Sequence, residues 1–130
     1  MKKFLLPLSI AIVCTLAACR HRGDTLSHAS ARKAAERYMK MLIDGRYEDY
    51  ISGMVDGDSL PADMRSQMVD LLAQFCQGQS LNKSMLAVSA TADSIQDSTA
   101  YVYLDVTYGD STTEQVGMQL VYIGERWFMQ

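Results

Sequence analysis

Histidine, proline, cysteine and long apolar runs are all scarce in this sequence, and each shortage closes a route. The two histidines, His21 and His28, both precede the first helical pattern, so the commonest general base is missing from the part expected to fold. Of the three cysteines, Cys14 and Cys19 lie near the start and Cys76 stands alone in the body. No intramolecular disulfide is expected, and stability has to come from an apolar core. Cys76 falls in a helical pattern, where a buried thiol is commoner than a reactive one. No His or Cys pair stands at ligand spacing, and Asp56-Gly57-Asp58 lacks the downstream Glu of a calcium loop. Met64 and Met68, one turn apart, suit a soft Cu(I) in principle, but on a helix stripe they read as core. Metals and cofactors are therefore not expected. A Gly-rich phosphate cradle, a serine nucleophile elbow and a Cys–His pair are also missing. Lys and Arg number 12 against 15 acidic residues and form no cluster, which argues against nucleic acid.

The longest apolar run lies at the start. Lys2 and Lys3 precede an apolar stretch from Phe4 to Leu16, followed by Ala17, Ala18 and Cys19. That order is the anatomy of a secretory signal. The run falls short of the roughly 20 apolar residues that cross a hydrocarbon core. Leu16-Ala17-Ala18-Cys19 resembles the bacterial lipoprotein signal. The resemblance implies cleavage before Cys19, diacylation of its thiol and, usually, acylation of the new amino terminus. Buried acyl chains at about 0.8 kcal/mol per CH₂ would make Cys19 a lasting membrane anchor. Residues 1–18 are then a signal peptide and 19–29 a lipidated tether. Arg20-His21-Arg22 carries no acidic export tag, which points to the periplasmic side of an outer membrane.

Residues 30–130 read as one domain. Ser30 offers an N-cap for a helix to about Ile43, with Ala31, Ala34, Ala35, Tyr38, Met41 and Leu42 on its apolar face. Arg46 to Met54 suggests a short second helix, broken at Asp56-Gly57-Asp58-Ser59. Pro61 opens a third helix to Gln77, stopped by Gly78, with Met64, Met68, Leu71, Leu72 and Phe75 in a stripe expected to face the core. The period then changes from 3.6 to 2. Met85–Ala92 alternates, Ser94–Ser98 looks like a turn, and Ala100–Tyr108 is the clearest strand. Gln115–Ile123 alternates again, and Trp127-Phe128-Met129 closes the chain after Gly124-Glu125-Arg126. Three helices before four strands at hairpin spacing predict an α+β fold, with helices packed on one face of an antiparallel sheet.

That order, ending in a Gly-x-x-Trp hairpin, resembles the nuclear transport factor 2-like cone, and more narrowly small bacterial lipoproteins with that domain. The resemblance implies a pocket between the helices and a curved sheet, used elsewhere for catalysis, for ligand binding or not at all. The expected pocket residues are Tyr38, Leu42, Met118 and Trp127. Tyr101 and Tyr103, on the polar face of the clearest strand, are expected contact residues. The candidate acid–base group is Asp105, between Tyr103 and Thr107. It needs a buried position to act, and the apolar Val102, Leu104 and Val106 opposite it argue that it faces water. The expected function is non-enzymatic binding of a small apolar ligand or an envelope protein by a membrane-anchored domain. Alternatives are a pocket lyase or isomerase using Asp105 with a tyrosine, and a structural spacer or accessory subunit, with homodimerisation through the open sheet face.

Overall fold

The computed structural model describes residues 25–77 and 84–130. The expected signal peptide, Cys19, His21 and the Gly78 helix stop lie outside them. Three α-helices precede one four-stranded sheet: α1 (His28–Ile43), α2 (Tyr47–Ser52) and α3 (Ala62–Gln77), then β1 (Met85–Gln96), β2 (Thr99–Tyr108), β3 (Thr113–Ile123) and β4 (Arg126–Met129). A single 3₁₀ turn, Gly57–Ser59, separates α2 from α3. The strands pair antiparallel in sequence order. Among the described residues, no helix is long and apolar enough to cross a membrane.

The first helix starts earlier than expected. Ser27, not Ser30, is the N-cap, and Ser30 completes a capping box three residues on. His28 therefore belongs to α1 rather than to the tether. A row of alanines, Ala31, Ala34 and Ala35, lets α1 lie close on the sheet. Tyr38 and Met39 continue the row, Met39 taking the buried place expected of Met41. They pack on Val102, Leu104 and Val106 of β2, Met118 and Leu120 of β3, and Trp127 and Met129 of β4. The alternation in β2 and β3 is thus the core pattern, as periodicity predicts.

β1 runs four residues beyond the expected Ala92. Its register shifts between Met85 and Ala87 and again between Ala90 and Ala92, and each irregularity moves the inward-facing set by one residue. Met85, Val88, Ala90 and Ile95 pack on the core, while Leu86, which strict alternation through Met85–Ala92 would put on the same face as Val88 and Ala90, points to solvent. Ser94 to Gln96 is strand rather than turn. The reversal is made by Asp97 and Ser98 alone, with Asp97 left-handed at φ 54°.

α3 departs most from expectation. The helix forms where predicted, but it contributes no buried residue. Met64, Leu71 and Phe75 are exposed, Phe75 at 67%. The apolar stripe is real, and it is not in the core. Arg65 holds the start of the helix, donating to the Glu48 and Gly57 carbonyls and to Ser52 Oγ at 2.9, 3.0 and 2.5 Å. Between Ser52 and Gly57, Met54 bridges to Met129 in parallel, with Val55 N donating to Met129 O at 2.9 Å. This contact fastens α2 to the edge of β4.

Candidate functional site

A cleft runs along one edge of the sheet. β4 pairs only with Leu120–Ile123 of β3, and Gln130 N adds a bond to Gln119 O at 3.1 Å. From Thr113 to Met118, β3 has no neighbouring strand on its outer side among the described residues. Two cavities lie end to end along this stretch, both touching Met39 and Val116. The first, about 570 Å³, is walled by Leu42, Met85 and Val116, with Phe75 and Cys76 of α3 across from them. Thr112, Thr113, Tyr108 and Glu114 give it a polar end. The second, about 580 Å³, lies between Tyr50, Met54 and Val55 on the α2 side and Met118, Gln119 and Met129 of the sheet. Both sizes are in the range of ligand sites. Methionines recur on the walls, and their unbranched, polarizable side chains adapt to varied shapes.

The electrostatics are simple. Among the described residues, Glu114 is the one charged side chain lining either cavity, and it accepts a hydrogen bond from Tyr108 Oη at 3.0 Å. Burial, with the hydrogen bond to Glu114 and its charge, pushes the Tyr108 hydroxyl above the usual tyrosine value. Burial also raises the Cys76 thiol, against a hydrogen bond from Tyr47 that lowers it. Tyr50 is raised by burial and, secondarily, by Cys76. Each of the three is held in its protonated form, so the cleft contains a thiol rather than a thiolate. Among the described residues no group of three or more His, Cys, Asp and Glu stands where it could hold a metal ion.

Leu42 lines the first cavity and Met118 the second. Tyr38 and Trp127 line neither; both are core. Tyr38 Oη donates to the Trp127 carbonyl at 2.5 Å, and the Trp127 indole N–H reaches Ser30 Oγ at 2.9 Å. Their polar tips serve the join between α1 and β4. Tyr101 and Tyr103 stand on the opposite face of the sheet, each 40% exposed, with ring centroids 5.0 Å apart in a T-shaped pair. Tyr101 leans over Gly117, where a Cβ would sit 2.2 Å from its hydroxyl. Asp105 shares that outer face, half-buried in register between Ser89 and Gln115, so it does not meet the cleft. Cys19 lies outside the described residues.

Three residues of the cleft are not among the expected site residues. Val116 and Met39 join its two cavities, and Glu114 marks one end. Away from the cleft, Asp93 turns inward after the second β1 irregularity, its side chain only 7% exposed. There it meets His28 Nδ1 and, at 3.1 Å, Arg32 Nε. This cluster fastens α1 to β1, as does Glu36, whose carboxylate accepts from Ala90 N at 2.9 Å.

No protein-family model matches the sequence, and no curated protein matches it significantly. A solved structure does. It is a Campylobacter jejuni protein whose name assigns it as a nuclear transport factor 2-like transpeptidase. It aligns with a TM-score of 0.62 at 11% identity, over 76% of this chain and 95% of that one. At that identity the likeness speaks for architecture alone. With its helices packed on an open four-stranded antiparallel sheet, this chain has the nuclear transport factor 2-like fold.

Proposed function

We propose that this chain is a lipid-anchored envelope protein that binds its ligand without catalysis, in the cleft along β3. The observation that carries this reading is the pair of adjoining cavities, walled by methionine, leucine, valine and phenylalanine. Such a lining favours an apolar ligand, either a small molecule or a segment of an envelope protein. The histidine and the aspartate that sequence reasoning offers for acid–base chemistry lie elsewhere. His28 is at the far end of α1 beside Asp93, and Asp105 is on the other face of the sheet. Acyl transfer, which the name of the Campylobacter jejuni protein raises, would call on Cys76. Its thiol is pushed up rather than down, which favours the inert form. The lyase or isomerase alternative loses support with Asp105 outside the cleft.

The anchoring part of the proposal rests on Leu16-Ala17-Ala18-Cys19. Wild type should take up labelled fatty acid and sediment with membranes, and Cys19→Ala should do neither. Equal labelling of the two would reject the anchor. For the binding part, the full chain is soaked in an extract of envelope lipids and proteins, and native mass spectrometry reads what stays bound. Retention of a compound that is recovered unchanged supports a binder. Its conversion during incubation would make the protein an enzyme and overturn the reading.

A further inference from the structure

The backbone of β3 narrows the class of ligand. Tyr122 N donates across to Ser98 O at 2.7 Å, whereas Gln119 O faces the other way and accepts from Gln130 N. Backbone groups alternate sides along a strand. Even-numbered residues of β3 therefore turn theirs to β2, and Thr113, Gln115 and Gly117 turn theirs to the open edge. The side chains of Glu114, Val116 and Met118 point to the cleft, because they share the parity of buried Leu120. So, among the described residues, the edge offers ladder positions with no neighbouring strand, and the cavities take side chains at every second residue. These are the two requirements of β-strand addition, in which main-chain bonds give affinity and alternate pockets give specificity.

We propose that the cleft accepts an extended polypeptide segment, which adds to β3 antiparallel along the line of β4. This inference rests on the binding reading above and names its ligand. Gln130 already pairs with Gln119, so an incoming strand on the same line places alternate side chains beside Met118, Val116 and Glu114 in that order. The first two sit among methionines and valine, and the third meets the Glu114 carboxylate. The pattern fitted is apolar-x-apolar-x-basic, read from the amino end. Phe75 of α3, exposed in the unliganded protein and on the wall of the first cavity, covers the added strand from the helix side.

The test uses the full chain carrying Cys19→Ala, so that no acyl group of its own competes, and an amidated six-residue peptide, Val-Thr-Leu-Thr-Lys-Thr, whose valine falls beside Met118, next to the position Gln130 fills. Binding is followed by calorimetry and by amide hydrogen exchange. The expected result is one peptide per chain, with slowed exchange at Thr113, Gln115 and Gly117. Backbone N-methylation of the peptide, which removes donors and keeps side chains, should weaken it at least about tenfold. Replacing its lysine with glutamate should weaken it about threefold, the modest size of an exposed charge effect. Gln115→Pro removes an edge donor at a position where proline is tolerated; it should keep the wild-type melting temperature and lose binding. Should Gln115→Pro unfold the chain, the N-methylated peptide makes the same test. Equal affinity for the N-methylated peptide, or no change at the edge amides, overturns strand addition. If the peptide fails while a small compound from the extract is retained, the inference falls and the binding reading stands. If neither binds, both fall.

Discussion

Gly53 is where the packing of this fold is most sharply testable. It ends α2 at φ −78°, a conformation any residue adopts, so replacing it carries no backbone strain. A Cβ there would stand 2.2 Å from Tyr38 Cε1 and within 3 Å of two more ring atoms. Neither side can give way cheaply. Tyr38 is 1% exposed and tied through its hydroxyl to the Trp127 carbonyl. The Gly53 carbonyl accepts from Met129 N at 2.7 Å. Overpacking of this kind costs about 1–3 kcal/mol, and the entropy gained by Gly→Ala offsets about 0.4–1 kcal/mol of it. Gly53→Ala should therefore lose about 1–2 kcal/mol. For a domain of this size that is a fall of roughly 5–15 °C in melting temperature. Differential scanning calorimetry measures it, and the double variant with Tyr38→Val assigns the cause. The penalty should largely vanish once the ring is gone. A melting temperature equal to or above wild type, or a full penalty in the Tyr38→Val background, would refute the packing described.

Other outcomes follow from the same structure. Leu71→Asp on the exposed α3 stripe should shift stability by less than about 0.5 kcal/mol, whereas Leu104→Ala, fully buried in β2, should cost about 2–5 kcal/mol; comparable losses in urea titrations would put α3 back in the core. Arg32→Ala leaves the nearly buried Asp93 carboxylate with His28 alone, and because Arg32 is 43% exposed the cost should be about 1 kcal/mol and shrink in high salt. Tyr50 and Tyr108 are raised above the ordinary tyrosine value. Their stabilising contribution is therefore complete below that value and is lost as pH climbs through their raised folded-state values. Denaturation midpoints should fall steeply in that alkaline window, and less steeply for Tyr50→Phe; superimposed curves would contradict the assignment.

How far the sequence could be read depended on whether a signal was local. Strict alternation in Ala100–Tyr108 and Gln115–Ile123 marked two strands because each buries one face and wets the other. β1 was cut short because its two register shifts break the period of 2, so Asp93 and Ile95 lost their visible alignment with Val88 and Ala90. The stripe on α3 was legible as an apolar face, since periodicity reports which side is apolar. It does not report what covers that side, and here no core residue does. Tyr38 and Trp127 looked like pocket residues because an aromatic body with a polar tip suits both a pocket and a core, and only the contact 89 residues apart decides. Leu42 and Met118, expected as pocket residues from the likeness to the cone fold, do line the two cavities. Val116 and Glu114 were not expected, because the cleft exists only where β4 stops, and strand length is the least local of these features. The pairing of Asp93 with His28, 65 residues apart, had no sequence signal at all.

The central claim is that ligand is held on the β3 side of the sheet and not on its tyrosine-bearing outer face. The most direct measurement compares, by native mass spectrometry, the mass retained from envelope extract by wild type, Val116→Trp and the Tyr101→Ala/Tyr103→Ala pair. Val116 touches both cavities, so an indole there should fill their junction and abolish retention, while the outer-face variant should retain ligand like wild type. Retention by Val116→Trp together with loss in the tyrosine variant would move the site to the outer face and contradict the account.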